Sequence, residues 1–70
     1  MLNKPLLRSH MAANNDTQRT LAKALGISLS RLNAKINEQQ GAEFKCNEIA
    51  FIKARYCLSA TAIDSIFFGK

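Results

Sequence analysis

A glycine and a serine interrupt an otherwise helical stretch near the middle of the chain. The segment LAKALGISLSRLNAKI, residues 21–36, has helix-forming residues on both sides of Gly26, Ile27 and Ser28. Glycine tolerates the left-handed conformation that ends many helices, and serine is a preferred N-cap for the helix that follows. The stretch therefore predicts two short helices joined by a tight turn, which limits the folds open to the chain.

Apolar residues recur at helical spacing along almost the whole chain, without the two-residue alternation of strands. We predict helices over KPLLRSHMAANN, DTQRTLAKAL, LSRLNAKIN, CNEIAFIKARYCL and ATAIDSIFF, with a polar loop around Gly41. A chain of 70 residues with 47% hydrophobic residues can form one small core. The predicted fold class is all-α, a compact five-helix domain spanning residues 1–70.

Capping residues precede each predicted helix. The expected caps are Asn3, Asp16 or Thr17, Ser28, Lys45 or Asn47, and Ser59. The expected inward-facing residues lie one helical turn apart and are Leu6, Leu7, Met11, Leu21, Ala22, Leu25, Leu32, Ile36, Ile49, Ile52 and either Phe51 or Tyr56. Phe44 is expected to fill the core from a loop. Phe67 and Phe68 are adjacent, so only one of them can face inward.

Several classes of protein are not expected from this composition. The apolar runs are too short for a membrane span, and the first ten residues lack the apolar region of a signal peptide. Ser9, His10 and Asp16 have no accompanying base or oxyanion loop, so no catalytic set, cofactor or small-molecule substrate is predicted. A single histidine and the absence of a CxxC motif argue against a metal site.

Two cysteines are expected to be free thiols. If Cys46 and Cys57 share one helix, their Cα atoms lie roughly 16 Å apart at about 1.5 Å per residue. A disulfide needs a separation of about 4.4–6.8 Å, which excludes a bridge between them. We predict that both thiols are buried or half-buried.

The distribution of charge favours a polyanionic partner. The net charge is +5, and residues 17–37 contain Arg19, Lys23, Arg31 and Lys35 but no acid. Each pair of cations is four residues apart, so each lies on one helical face, where like charges repel. Nucleic acid would relieve that repulsion and add affinity through counterion release. The alternative is a helix pair with an ordinary solvated basic face.

The same stretch has the pattern of a helix-turn-helix. Ala22 is small where two helices would approach closely, Gly26 lies in the turn, Ile27 fills the space beneath it, and Leu32 anchors the second helix. Because the second helix would be held by its apolar side, its opposite side is free to enter a DNA major groove.

Two segments resemble phage regulatory proteins. TQRTLAKALGISLSRLNAKIN resembles the Cro/repressor type of phage helix-turn-helix domain, which is related to XRE-type regulators. NEIAFIKARYCLSATAIDSIFF is similar to small lytic-switch proteins of Gram-positive phages, including modulator-of-repression proteins. The resemblance implies a lambda-repressor-like helix-turn-helix domain, with the motif at about residues 17–37.

The resemblance also implies roles for individual residues. The base-edge candidates lie on the second helix of the motif and are Leu29, Ser30, Arg31, Asn33 and Ala34. In these roles Arg31 would bind guanine and Asn33 adenine. The phosphate candidates are Thr17, Gln18, Arg19, Lys23, Lys35, Asn37 and Gln39. Leu29 occupies a position where phage repressors often have glutamine, and it could contact a thymine methyl or belong to a protein-binding surface.

Two functions remain open from the sequence. The first is a phage or prophage transcriptional regulator that binds double-stranded operator DNA, as a possible homodimer, in a lysis/lysogeny switch. The second is a modulator that binds the cognate phage repressor, with weak or no independent DNA binding. The partner-interface candidates for that second function are Leu29, Arg31, Lys35 and Phe68. Either function places the protein in the cytoplasm of a bacterial host cell, without a membrane partner.

Overall fold

The computed structural model describes residues 2–69 and contains five α-helices, with no β-strand in that range. They are α1 (Lys4–Ala13), α2 (Gln18–Leu25), α3 (Leu29–Ile36), α4 (Cys46–Arg55) and α5 (Ala60–Phe67). A short 3₁₀ turn, Gln39–Gly41, lies within the loop between α3 and α4. The all-α, five-helix prediction is confirmed, although each helix is one to three residues shorter than its predicted segment.

Side-chain caps fix where most of the helices begin. Asn3, Thr17, Ser28 and Ser59 each accept a hydrogen bond from the backbone amide three residues further on. These bonds satisfy amides that have no partner within the helix. Thr17, and not Asp16, caps α2. Lys45 precedes α4, and its amide donates to the carboxylate of Glu48 at 2.8 Å.

One apolar core joins all five helices. Its fully buried members are Leu7, Leu21, Leu32, Ile36, Ile52 and Ile66. Burying a leucine or isoleucine side chain contributes about 1.5–3 kcal/mol, so these residues dominate the stability of the fold. Of the two aromatic residues expected to compete for the core, Tyr56 at the end of α4 is buried, whereas Phe51 is 38% exposed.

The aromatic residues at the end of the chain divide between core and surface. Phe67 is buried and packs edge-to-face against Phe44, with 5.4 Å between the ring centroids. Phe68 is 54% exposed. The expectations that Phe44 fills the core and that only one of the two terminal phenylalanines faces inward are both confirmed.

Asp16 links the α1–α2 connection to the end of α4. Its carboxylate accepts hydrogen bonds from Arg55 at 2.7 and 3.1 Å, from the Tyr56 hydroxyl at 2.5 Å, and from the Thr20 hydroxyl. The hydrogen bonds from Arg55 lower the pKa of Asp16 far below its ordinary value, against the opposing effect of burial. Burial, and then the hydrogen bond to Asp16, raises the pKa of Tyr56.

The cysteine prediction is partly wrong. Cys46 and Cys57 are free, as expected, but both are exposed. Cys46 is the first residue of α4, and Cys57 follows that helix with a left-handed φ of 53°. Both therefore lie at helix ends, outside the periodicity that predicts burial.

None of the helices within residues 2–69 has the length and apolar content needed to cross a membrane.

Candidate nucleic-acid interface

A three-residue turn fixes α3 against α2. Gly26 has φ 76° and ψ 26°, the left-handed conformation expected for it. The Ile27 amide donates to the Ala22 carbonyl at 3.0 Å, and the Ser28 hydroxyl accepts from the Arg31 amide at 3.1 Å. The turn thus satisfies backbone groups at the end of one helix and the start of the next.

The apolar sides of α2 and α3 face the core and leave their opposite sides outward. Leu21 and Ala22 are buried on α2, and Leu32 and Ile36 are buried on α3. Ile27 is partly buried and packs against this cluster, as its predicted place beneath the turn requires. The two helices therefore present fixed outer faces to solvent.

The residues proposed to contact bases lie on α3, and most of them are on its outer face. Ser30 and Arg31 are exposed, and Leu29, Asn33 and Ala34 are half-buried. Ser30 and Ala34 are one turn apart and lie on the same face. Leu29 precedes the buried Leu32 by three residues and so lies towards the apolar side of α3, which leaves the other four residues on the outer face.

The outer face of α2 contributes positive charge. Arg19 and Lys23 are exposed and one turn apart, and Gln18 beside them is half-buried. Thr17 is exposed, although its hydroxyl is engaged in capping α2. Arg19, Lys23 and Arg31 belong to none of the ion pairs found among residues 2–69. Their charges are available to an anionic partner.

Lys35 does not belong to this surface. Only 3% of it is exposed, and its ammonium group donates to Glu48 Oε1 at 2.9 Å and to the Glu43 carbonyl at 3.0 Å. The predictions that Lys35 contacts phosphate or a protein partner are therefore wrong for this structure. The side chain lies on the inner side of α3, where packing against α4 buries it, although its spacing from Arg31 suggested a shared exposed face.

The remaining phosphate candidates lie at the end of α3. Asn37 is the C-cap residue of α3. Its side-chain amide donates to the Asn33 carbonyl at 3.0 Å, and its side-chain oxygen accepts from Lys4 Nζ at 3.3 Å. Its side chain therefore has partners within the protein. Gln39 is exposed in the loop that follows.

A groove of about 690 Å³ lies between α3 and the α3–α4 loop. Arg31 and Ala34 form part of one wall, and Gln39, Gln40 and Lys45 form part of the other. Gln40 and Lys45 were not among the predicted site residues. No helical periodicity marks Gln40, because it lies in the loop with a left-handed φ of 53°. Lys45 is an exposed cation that lies beyond the acid-free segment, after Glu38 and Glu43, and only its positive charge indicated a role at this surface.

Comparison with known proteins identifies no relative. No family model, curated protein or solved structure matches the chain. The surface must therefore be interpreted from its own chemistry.

Within the part of the chain that the structure describes, no three histidine, cysteine or acidic residues lie close enough together to hold a metal ion.

A smaller cavity, with both apolar and charged residues in its lining, lies beside the groove. It has a volume of about 240 Å³, and its lining includes the apolar residues Leu2, Phe44, Ile49, Phe67 and Phe68 and the acidic residues Glu38 and Glu43. Lys35 and Glu43 line both the cavity and the groove. Arg31 lines only the groove and Phe68 only the cavity, so these two partner-interface candidates belong to different surface features.

Proposed function

We propose that the protein binds double-stranded DNA through a helix-turn-helix formed by α2 and α3, with α3 in the major groove. The observation that supports this most is the tight Gly26 turn, which holds the apolar sides of both helices in the core and leaves Ser30, Arg31, Asn33 and Ala34 on the outer face of α3. A short helix held in this way fits the geometry of major-groove recognition.

The chemistry of the outer faces agrees with that proposal. Arg31 can donate two hydrogen bonds to guanine, and Asn33 can form a paired donor and acceptor contact with adenine. Leu29 and Ala34 can contact a thymine methyl group. Arg19 and Lys23 on α2 supply charge for phosphates, which position a protein on the duplex.

We further propose that the DNA is an operator and that the protein regulates transcription in a phage or prophage lysis/lysogeny switch. This part rests on the resemblance of residues 17–37 to Cro/repressor domains. A homodimer would contact two half-sites about 34 Å apart along the duplex. Binding at such a site would block RNA polymerase.

Salt-dependent binding tests the DNA-binding proposal. Fluorescence anisotropy should detect binding to duplex DNA selected by the protein from a random-sequence pool. Because Arg19 and Lys23 are the exposed cations proposed to contact phosphates, we expect affinity to fall with rising salt with a log–log slope of about −2 per protomer. Absence of binding at about 50 mM salt, where counterion release contributes most, would refute the proposal.

A second function is favoured by a specific surface feature. Phe68 is 54% exposed and lines the smaller cavity, and aromatic residues are enriched at protein–protein interfaces. The protein could therefore act by binding the cognate phage repressor. Co-purification with that repressor without DNA, lost on Phe68→Ala but kept on Arg31→Ala, would favour this function over direct DNA binding.

A further inference from the structure

The buried Lys35–Glu48 pair determines where the wall of the groove lies relative to α3, and so contributes to the choice of DNA sequence. We propose that both residues have a positioning role, and that neither of them contacts DNA. The effect on DNA choice rests on the proposed function, whereas the positioning itself does not.

The geometry joins three segments at one point. Lys35 in the last turn of α3 donates to the Glu43 carbonyl in the loop at 3.0 Å and to Glu48 Oε1 in α4 at 2.9 Å. The same Glu48 oxygen accepts from the Lys45 amide at 2.8 Å. A single carboxylate oxygen and a single ammonium group therefore tie α3, the loop and the start of α4 together.

Because Lys35 and Glu48 are buried, the hydrogen bonds between them and to the loop constrain the position of the loop. Lys35 is 3% exposed and Glu48 is 8% exposed, so water cannot easily replace either partner. Burial opposes ionisation of Glu48, but the Lys45 amide and the Lys35 ammonium outweigh it and hold the pKa of Glu48 below its ordinary value. Charge-assisted hydrogen bonds are roughly twice as strong as those between neutral groups, and they are directional, whereas apolar packing is not.

Stability alone does not account for such a pair. Replacing a buried ion pair with apolar residues of similar volume is often neutral or stabilising, because both charges must be desolvated on folding. What apolar residues cannot supply is the hydrogen bond to the Glu43 carbonyl. That bond holds the loop which forms one wall of the groove, opposite Arg31.

The loop itself needs such a constraint. Glu38, Gln40 and Gly41 all have positive φ values, of 53°, 53° and 76°. Non-glycine residues disfavour this conformation, so the surrounding structure must hold them in it. Lys35 supplies a fixed attachment for the loop two residues after Gly41.

The test separates positioning from folding. The double variant Lys35→Met/Glu48→Leu replaces the pair with apolar side chains of similar size, and Lys35→Met alone keeps the Glu48–Lys45 bond. The control is Glu43→Ala, which removes an exposed carboxylate from the same loop but keeps its backbone carbonyl. Thermal unfolding reports stability. Amide hydrogen exchange at Ala42, which donates to the Gln39 carbonyl at 2.9 Å, reports loop geometry without involving a substituted residue.

We expect both Lys35 variants to fold, with the double variant at least as stable as wild type. Exchange at Ala42 should be faster in both, while exchange at Leu32 within α3 stays slow. The preference for the selected duplex over a scrambled one should fall about tenfold, the effect of losing one base contact. Glu43→Ala should leave Ala42 exchange unchanged.

Other results would overturn the proposal. If folded variants keep wild-type exchange at Ala42, the pair does not position the loop. If that exchange rises but DNA preference does not change, loop position does not affect sequence choice. Failure of both Lys35 variants to fold would assign the pair to folding alone. If wild type shows no preference for any duplex, the proposed function fails, and Ala42 exchange still decides the positioning role.

Discussion

Arg55 donates to both carboxylate oxygens of Asp16, at 2.7 and 3.1 Å, although 39 residues separate them along the chain. The Tyr56 hydroxyl adds a third bond to the same carboxylate at 2.5 Å. Only 5% of the Asp16 side chain is exposed. The pairing holds the connection before α2 against the end of α4, and so anchors the start of the proposed helix-turn-helix.

Asp16→Ala should destabilise the protein. The substitution leaves the Tyr56 hydroxyl and the Arg55 guanidinium without their acceptor, and losing hydrogen bonds to a charged group costs about 2 kcal/mol. Chemical denaturation followed by circular dichroism measures the change. Asp64→Ala, at an exposed position of α5, is the matched control and should change stability by less than about 0.5 kcal/mol. Equal effects of the two substitutions would contradict the structural role of Asp16.

Acid should weaken the protein in part through Asp16. Hydrogen bonding by Arg55 depresses the folded-state pKa, so the carboxylate stabilises the fold fully above its ordinary pKa of 3.8. That contribution is lost as the pH falls below 3.8 towards the folded-state pKa. We expect Asp16→Asn to be less stable than wild type at neutral pH but less sensitive to acid, with a slope up to about 1.4 kcal/mol per pH unit smaller. Denaturation curves measured between about pH 6 and pH 2 provide the comparison. Parallel curves for the two proteins would refute it.

Gly26 should tolerate asparagine better than alanine. Its φ of 76° is left-handed, and, apart from Gly26 and its two chain neighbours, no heavy atom lies within 4 Å of the position that a Cβ would occupy. The cost of Gly26→Ala is therefore conformational, about 1 kcal/mol, whereas asparagine adopts this conformation more readily. Thermal unfolding of the two variants tests the turn. A larger loss for asparagine than for alanine would show that the left-handed conformation does not govern this position.

Phe67 and Phe68 should differ sharply on truncation. Phe67 is 8% exposed and packs on Phe44, so Phe67→Ala leaves a cavity and should cost roughly 3–5 kcal/mol. Phe68 is 54% exposed, and Phe68→Ala should change stability by less than about 0.5 kcal/mol. Each is the control for the other in urea denaturation. Similar losses from both would mean that the end of α5 packs differently.

Local chemistry explains what the sequence could predict. The caps at Asn3, Ser28 and Ser59, and the turn at Gly26, depend on residues within one helical turn of each other. The positions of the helices follow from these signals and from apolar periodicity. The same periodicity predicts most of the core side chains. It does not decide between Phe67 and Phe68, because they are adjacent at the end of the last helix.

Contacts between distant segments explain what was missed. Lys35 has the spacing of an exposed cation, but it is buried because Glu48, 13 residues later, lies opposite it. Asp16 could be expected to cap α2, and it does accept from Thr20 on that helix, but its other partners, Arg55 and Tyr56, lie at the end of α4. No pattern within one helix shows either pairing. For the same reason the sequence could propose Arg31 as a DNA contact but could not show that Lys35 leaves that surface.

The most direct test of the proposed function is chemical-shift mapping of the isotope-labelled protein with a selected DNA duplex at about 50 mM salt, where electrostatic binding is strong. We expect the largest shifts at Ser30, Arg31, Asn33 and Ala34 on α3. Arg31→Ala should weaken binding by about 1–3 kcal/mol with its loss concentrated at one base pair, whereas Lys53→Ala on α4 should not. Absence of shifts on α3, or shifts confined to the cavity beside Phe68, would contradict DNA recognition by this helix.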